Sequence, residues 1–236
     1  MQGTILLLKP QLLLGPEYNL KEPKIKHMKK LLFIGMITIN TIPCFSQQTS
    51  QADIDLKVET FFQKHGGWYD MNVPSADGQL LYNLILDNNF QQALEIGTST
   101  GHSGIWMAWA LSKTGGKLIT IDIDKGRHKT ALENFKKAGL SDFIDARLAD
   151  AHVLVKELEG PFDFVFSDAD KDWYKNYFLD VDPKLVIGGC FTTHNIREGR
   201  GGWNQDYLEY VKSLENYEST LNSDGGGVLI SYKRAE

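Results

Sequence analysis

One stretch constrains this chain more than any other: Ala93-Leu94-Glu95-Ile96-Gly97-Thr98-Ser99-Thr100-Gly101-His102-Ser103-Gly104. It reads as a buried strand, a tight glycine turn and the start of a helix. Leu94 and Ile96 are strand residues, and Gly97 and Gly101 allow a sharp turn and close approach to a ligand. The run Ile105, Trp106, Ala108, Trp109, Leu111 then has helical spacing. A strand feeding a helix N-terminus through glycines forms the ligand crevice of open α/β sheets. The spacing is G-x-x-x-G-x-x-G, not the G-x-G-x-x-G that holds a pyrophosphate. Glu95 at the strand end would repel a pyrophosphate as well.

A second apolar strand follows, Leu118-Ile119-Thr120-Ile121-Asp122, continuing into Ile123-Asp124. An acid at its end accepts hydrogen bonds from ribose hydroxyls. A glycine turn without phosphate chemistry, next to a ribose-binding acid, suits a nucleoside cofactor such as S-adenosylmethionine (SAM). Glu95 suits the cationic methionine end of that molecule. A nicotinamide-dependent dehydrogenase is disfavoured by the glycine spacing.

The rest of the chain alternates strands with helices. Ile54, Leu56, Val58, Phe61 and Phe62 mark a helix over 51–65, ended by Gly66-Gly67. Residues 68–77 are a loop, and a helix starting at Ser75 or Asp77 buries Leu80, Leu81, Leu84 and Ile85. A helix over 125–140, a strand over 143–148, and a helix opened by Asp150 and burying Val153, Leu154, Val155 and Leu158 come next. Strands over 162–166 and 185–193 flank a helix over 172–180. A glycine-rich loop over 198–203 leads to a helix over 204–214 and two late strands, 217–221 and 227–232. The fold class is therefore α/β: a Rossmann-like, doubly wound, mostly parallel seven-stranded sheet with helices on both faces and an antiparallel C-terminal strand. Residues 51–236 form one domain.

Residues 1–46 read differently. Met28-Lys29-Lys30, the apolar run 31–39 and the exit Pro43-Cys44-Phe45-Ser46 form a secretory signal peptide over about 28–46, cleaved after Ser46. Met28 is the expected start, and residues 1–27 are upstream sequence. The apolar run is shorter than a membrane span of about 20 residues. The chain is thus expected to be exported, with an uncleaved membrane anchor or a cytoplasmic location as alternatives. Without residues 1–46, which hold six lysines and two glutamates, 19 basic and 28 acidic residues remain, a formal charge of −9. Such a surface repels phosphate backbones, so nucleic acid is not an expected partner. Two cysteines, Cys44 and Cys190, make neither a disulfide framework nor a zinc site.

Three motifs in order carry a resemblance: Glu95 to Ser103, then Ile121-Asp122-Ile123-Asp124, then Phe166-Ser167-Asp168-Ala169-Asp170-Lys171-Asp172-Trp173-Tyr174. Together with Met71-Asn72-Val73-Pro74-Ser75-Ala76-Asp77-Gly78-Gln79, they resemble class I SAM-dependent O-methyltransferases of the caffeoyl-CoA and catechol type over residues 66–236. The resemblance implies that Glu95, Gly97, Thr98, Gly101 and Ser103 hold the methionine end of SAM and that Asp122 binds its ribose. It implies that Asp150 and Ala151 flank the adenine, that Met71 and Val73 close over the cofactor, and that Asp168, Asp170 and Tyr177 lie nearby. Asp168 matches the family's first metal ligand, and Lys171 stands where the catechol branch keeps its general base. It also implies a small-molecule acceptor and a homodimer.

One position departs from the pattern. The family ends its fifth strand with Asp-Asn, both ligands of a divalent ion, whereas this chain has His194-Asn195. An Asp168, His194, Asn195 set favours Mn²⁺, Fe²⁺ or Zn²⁺ over Mg²⁺, or no metal at all. His194 is then a metal ligand, a base in a metal-free site, or a packing residue. Trp68, Tyr69, Trp173, Tyr174 and Trp203 are candidates for an acceptor pocket. The expected activity is methyl transfer from SAM to a hydroxyl of a small, catechol-like aromatic acceptor, with Lys171, His194 and Asp168 as catalytic candidates. The alternative is an exported, methyltransferase-like binding protein without turnover, a reading favoured by the signal peptide because SAM is made in the cytosol.

Overall fold

The computed structural model describes residues 50–68, 71–199 and 204–236. The chain divides into two units, Met1–Ser46 and Gln47–Glu236. The first, with the signal-peptide reading, lies outside the described residues, as do Tyr69 and Trp203.

The second unit is built on one sheet. Its strands are β1 (Gln92–Ile96), β2 (Lys117–Asp122), β3 (Ile144–Leu148), β4 (Phe162–Ser167), β5 (Leu185–His194), β6 (Tyr217–Asn222) and β7 (Val228–Lys233). They lie in the order β3-β2-β1-β4-β5-β7-β6. Strands β1 to β5 are parallel, and β7 pairs antiparallel with both β5 and β6. The C-terminal strand thus slots between its predecessors instead of extending the edge. The helices are α1 (Gln51–Lys64), α2 (Ser75–Asn88), α3 (His102–Thr114), α4 (Lys125–Ala138), α5 (Ala151–Glu157), α6 (Tyr174–Val181) and α7 (Gln205–Lys212). Among the described residues no helix is long and apolar enough to cross a membrane.

Strand alternation sorts the core into two faces. Val165 packs with Val155, Phe178 and Leu208 of α5, α6 and α7. Its neighbours Phe164 and Phe166 pack with Leu81 and Ile85 of α2 and with Met107 and Leu111 of α3. A third cluster joins Ile54, Val58 and Phe61 of α1 to Ile105 of α3 and Phe135 of α4. Two expected core residues face solvent. Leu56 is exposed because two helical residues span about 200°, which puts it opposite Ile54 and Val58. Val153 is exposed on α5, whose buried side chain is Val155.

Caps set the ends that matter for the site. Asp124 and Asp150 N-cap α4 and α5, accepting hydrogen bonds from Arg127 N–H and His152 N–H. The expected helix over 172–180 begins instead as a 3₁₀ turn, Lys171–Trp173, capped by Asp170, and continues as α6.

Candidate active site

A cavity of about 740 Å³ opens at the carboxyl ends of the parallel strands. That is the size and place expected of a small-molecule site in an open α/β sheet. One end is built by Asp122, the last residue of β2, and by Asp150, Ala151 and Tyr177. Met71 and Val73, from the segment before α2, form part of the wall, with Ser103 and Gly97 deeper in the turn. The other end is built by Asp168, Asp170 and Lys171 after β4, and by His194 and Asn195 at the end of β5. Thirteen of the sixteen cofactor, catalytic and metal candidates are thus brought to one cavity.

Three are not on its wall. Glu95 is fully buried, its carboxyl bonded by Ser103 Oγ and by Thr120 Oγ1 at 2.5 Å. Burial raises its pKa to about 8 against those two hydrogen bonds, so the group is mainly neutral at pH 7. It ties β1 to α3 and β2 and is not on the cavity wall. Thr98 is buried and bonds Thr120 Oγ1 at 2.5 Å. Gly101 packs under the Phe135 ring. Gly97, on the wall, has φ +106°, and a Cβ there would stand 2.9 Å from the Asp168 carbonyl oxygen. Glycine at 97 therefore lets the ends of β1 and β4 close on each other.

Sequence reasoning missed several wall residues. Ser99, in the glycine turn, donates its N–H to Asp122 Oδ2 at 2.6 Å. Arg127, in the first turn of α4, bonds Ser99 Oγ at 3.1 Å. His152 lies 3.2 Å from Asp170 Oδ2 and stacks on Trp173 at 4.3 Å between centroids. Both Arg127 and His152 follow a capping Asp, and that pairing was the available signal. Of the aromatic candidates, Trp68 stacks on His102 at 4.4 Å and Trp173 on His152, while Tyr174 donates its hydroxyl to the His194 carbonyl at 3.0 Å. None of these three lines the cavity.

The reactive end is a network of charges. His194 Nδ1 lies 3.0 Å from Asp168 Oδ2, and Nε2 lies 2.8 Å from Asp77 Oδ2. Ionised carboxylates only accept, so the ring donates from both nitrogens. Burial pulls the His194 pKa down, but the bonds to Asp168 and Asp77 outweigh it and push it up to about 9. Burial opposes ionisation of Asp77 too, yet His194 and the Gly226 N–H hold its pKa below the usual carboxylate range. Lys171 Nζ reaches Asp168 Oδ1 at 3.2 Å and also Asn195 Oδ1.

The donor set fits the two expected groups differently. The Asp122 carboxylate and the acids Asp150 and Asp170 suit a nucleoside carrying net positive charge, as SAM does. Asp168, His194 and Asn195 converge, but a histidine ligand needs a free ring lone pair and both nitrogens of His194 are spent on carboxylates. Among the described residues no group of three His, Cys, Asp or Glu is arranged to hold a metal. The residues do not fit the ion. For the same reason His194 has no lone pair with which to act as a base.

A doubly wound sheet of this strand order, with one large crevice at its carboxyl ends, defines an α/β cofactor-binding class. The sequence model for O-methyltransferase matches residues 46–200. Caffeoyl-CoA O-methyltransferase 1 of Eucalyptus globulus is 35% identical over 168 residues, 66% of each chain. A flavonoid 3',5'-methyltransferase of Vitis vinifera is 35% identical over 143 residues, 58% of this chain and 60% of its own. The chain thus spans 66% and 60% of the length of these two curated relatives. An O-methyltransferase from Bacillus cereus, solved in complex with SAH, superposes with a TM-score of 0.63 at 22% identity, covering 80% of this chain and 94% of its own. The chain belongs to the O-methyltransferase family. Its class of activity is SAM-dependent methyl transfer to a hydroxyl oxygen.

Proposed function

We propose that this chain methylates a hydroxyl of a small, catechol-like aromatic acceptor, with SAM held in the described cavity. The observation that carries the reading is that one cavity joins Asp122 to Asp168 and Lys171. The Eucalyptus and Vitis relatives, named for caffeoyl-CoA and flavonoid acceptors, support the aromatic class. SAM supplies an electrophilic methyl on a sulfonium. Asp122 would accept hydrogen bonds from its ribose and Asp150 and Ala151 would bound its adenine, leaving Asp168, Lys171 and Asn195 at the other end of the cavity to face an acceptor, where positioning would supply much of the rate. A phenol titrates near pH 10, so its proton must be removed. Lys171 stands at that end of the cavity, its Nζ 3.2 Å from Asp168 Oδ1, and is the candidate base.

The test is methyl transfer from labelled SAM to a panel of catechols and other phenols, with NAD offered as a competing ligand. Methylated product, and SAM binding indifferent to NAD, support the reading; binding of NAD in place of SAM refutes it. The pattern over 28–46 supports export with a mature chain beginning near Gln47. Intact-mass analysis of the expressed protein checks this, and a full N-terminus in the cytosol contradicts it.

A further inference from the structure

Asp77 lies near the reactive end, in the Met71–Gln79 segment, apart from the glycine turn and the strand-end motifs. It sits in the first turn of α2, only 1% exposed. One carboxylate oxygen, Oδ2, accepts the His194 Nε2–H at 2.8 Å and the Gly226 N–H at 2.7 Å. Gly226 belongs to the turn between β6 and β7, within the run Asp224-Gly225-Gly226-Gly227. A Cβ at Gly225 would collide with the Asp77 carboxylate, and one at Gly226 with the His194 ring. Three elements distant in sequence therefore close on one imidazole. On its other side the ring meets Asp168, and Tyr174 pins the His194 backbone carbonyl.

Resting on the methyltransferase reading above, we propose that this clamp replaces the divalent ion: Asp77 is a positioning residue that locks the His194 ring onto Asp168, so that the site fixes Asp168 beside Lys171 and works without metal. A divalent ion in such a site would hold the strand-end acid and screen its charge. Here the doubly donating ring performs both tasks, and its geometry leaves no nitrogen for coordination. Position 194 carries an imidazole where the family pattern has an acid, and Asp77 on α2 faces that ring and not the cavity.

The test separates this claim from turnover. Mn²⁺ is titrated into the full chain and free ion is followed by electron paramagnetic resonance; the histidine ring N–H signals are recorded by NMR in the same sample. The expected result is no stoichiometric uptake by the wild type, with two slowly exchanging ring N–H signals from His194. His194→Asp, which restores the Asp-Asn pair, is expected to take up one Mn²⁺. Asp77→Ala is expected to lose the Nε2–H signal and to lower kcat roughly tenfold with SAM affinity unchanged. Stoichiometric Mn²⁺ uptake by the wild type with broadening of the His194 signals, or turnover abolished by EDTA and restored by Mn²⁺, would overturn the proposal. An inactive wild type that shows both ring signals and takes up no Mn²⁺ would count against the methyltransferase reading and leave the clamp standing.

Discussion

Replacing Asp122 with Ala tests the nucleoside end of the cavity most sharply. Its two carboxylate oxygens already organise the turn around them: Oδ2 accepts the Ser99 N–H at 2.6 Å and Oδ1 the Asp124 N–H at 2.8 Å. Each oxygen keeps a second acceptor site, and the pair matches the two hydroxyls of a ribose. Hydrogen bonds to a charged group contribute about 1.5–3 kcal/mol each, and two sharing one charge are taken together as about 3 kcal/mol. At 1.4 kcal/mol per decade, Asp122→Ala should weaken SAM binding roughly 100-fold. Asp122→Asn keeps one acceptor oxygen and loses the charge, so it should fall between the two, at about tenfold. Isothermal titration of SAM into all three proteins gives the affinities, and thermal melts confirm that each is folded. A folded Asp122→Ala protein that binds SAM within about threefold of wild type would refute the ribose assignment.

Further outcomes follow from the same structure. Lys171→Ala should lower kcat by roughly 10²–10⁴ with SAM affinity unchanged, as steady-state kinetics beside calorimetry would show; a fully active variant removes Lys171 as the base. The folded state should lose stability as pH rises, for two reasons. Glu95 keeps its proton up to about pH 8 when folded and releases it near 4.5 when unfolded, so its contribution fades across that window. The His194 contribution, complete below its unfolded value of 6.5, is lost as pH passes about 9. Melting temperatures should therefore decline from pH 5 to 9.5, and Glu95→Gln should flatten the part below pH 8; a rising profile would contradict both assignments. Gly226→Ala should displace the Asp77–His194 contact, seen as loss of the same ring N–H signal that Asp77→Ala removes.

Much of this architecture was legible because its signals are local. Apolar runs such as Phe162 to Phe166, glycine caps such as Gly139 and capping acids such as Asp150 act within a few residues of themselves. The strand-end acids Asp122 and Asp168 could be placed because carboxyl ends of parallel strands face one crevice. What was hidden depends on contacts between distant residues. Asp77 reads from sequence only as a possible helix start within Met71–Gln79, and its contact with His194 joins residues 117 apart in the chain. Glu95 read as a countercharge because its place in the motif is visible, whereas the hydroxyls of Ser103 and Thr120 that enclose it come from α3 and β2. The position of β7 between β5 and β6 likewise follows from sheet pairing that no local pattern encodes.

The central claim is geometric: one cavity holds the nucleoside at Asp122 and directs the reacting end toward Asp168 and Lys171. A crystal structure of the chain with S-adenosylhomocysteine tests it most directly. The account predicts ribose hydroxyls on the Asp122 carboxylate, adenine beside Ala151, and the sulfur facing the Asp168–Lys171 end. A ligand bound elsewhere, or one whose ribose leaves Asp122 untouched, would contradict it.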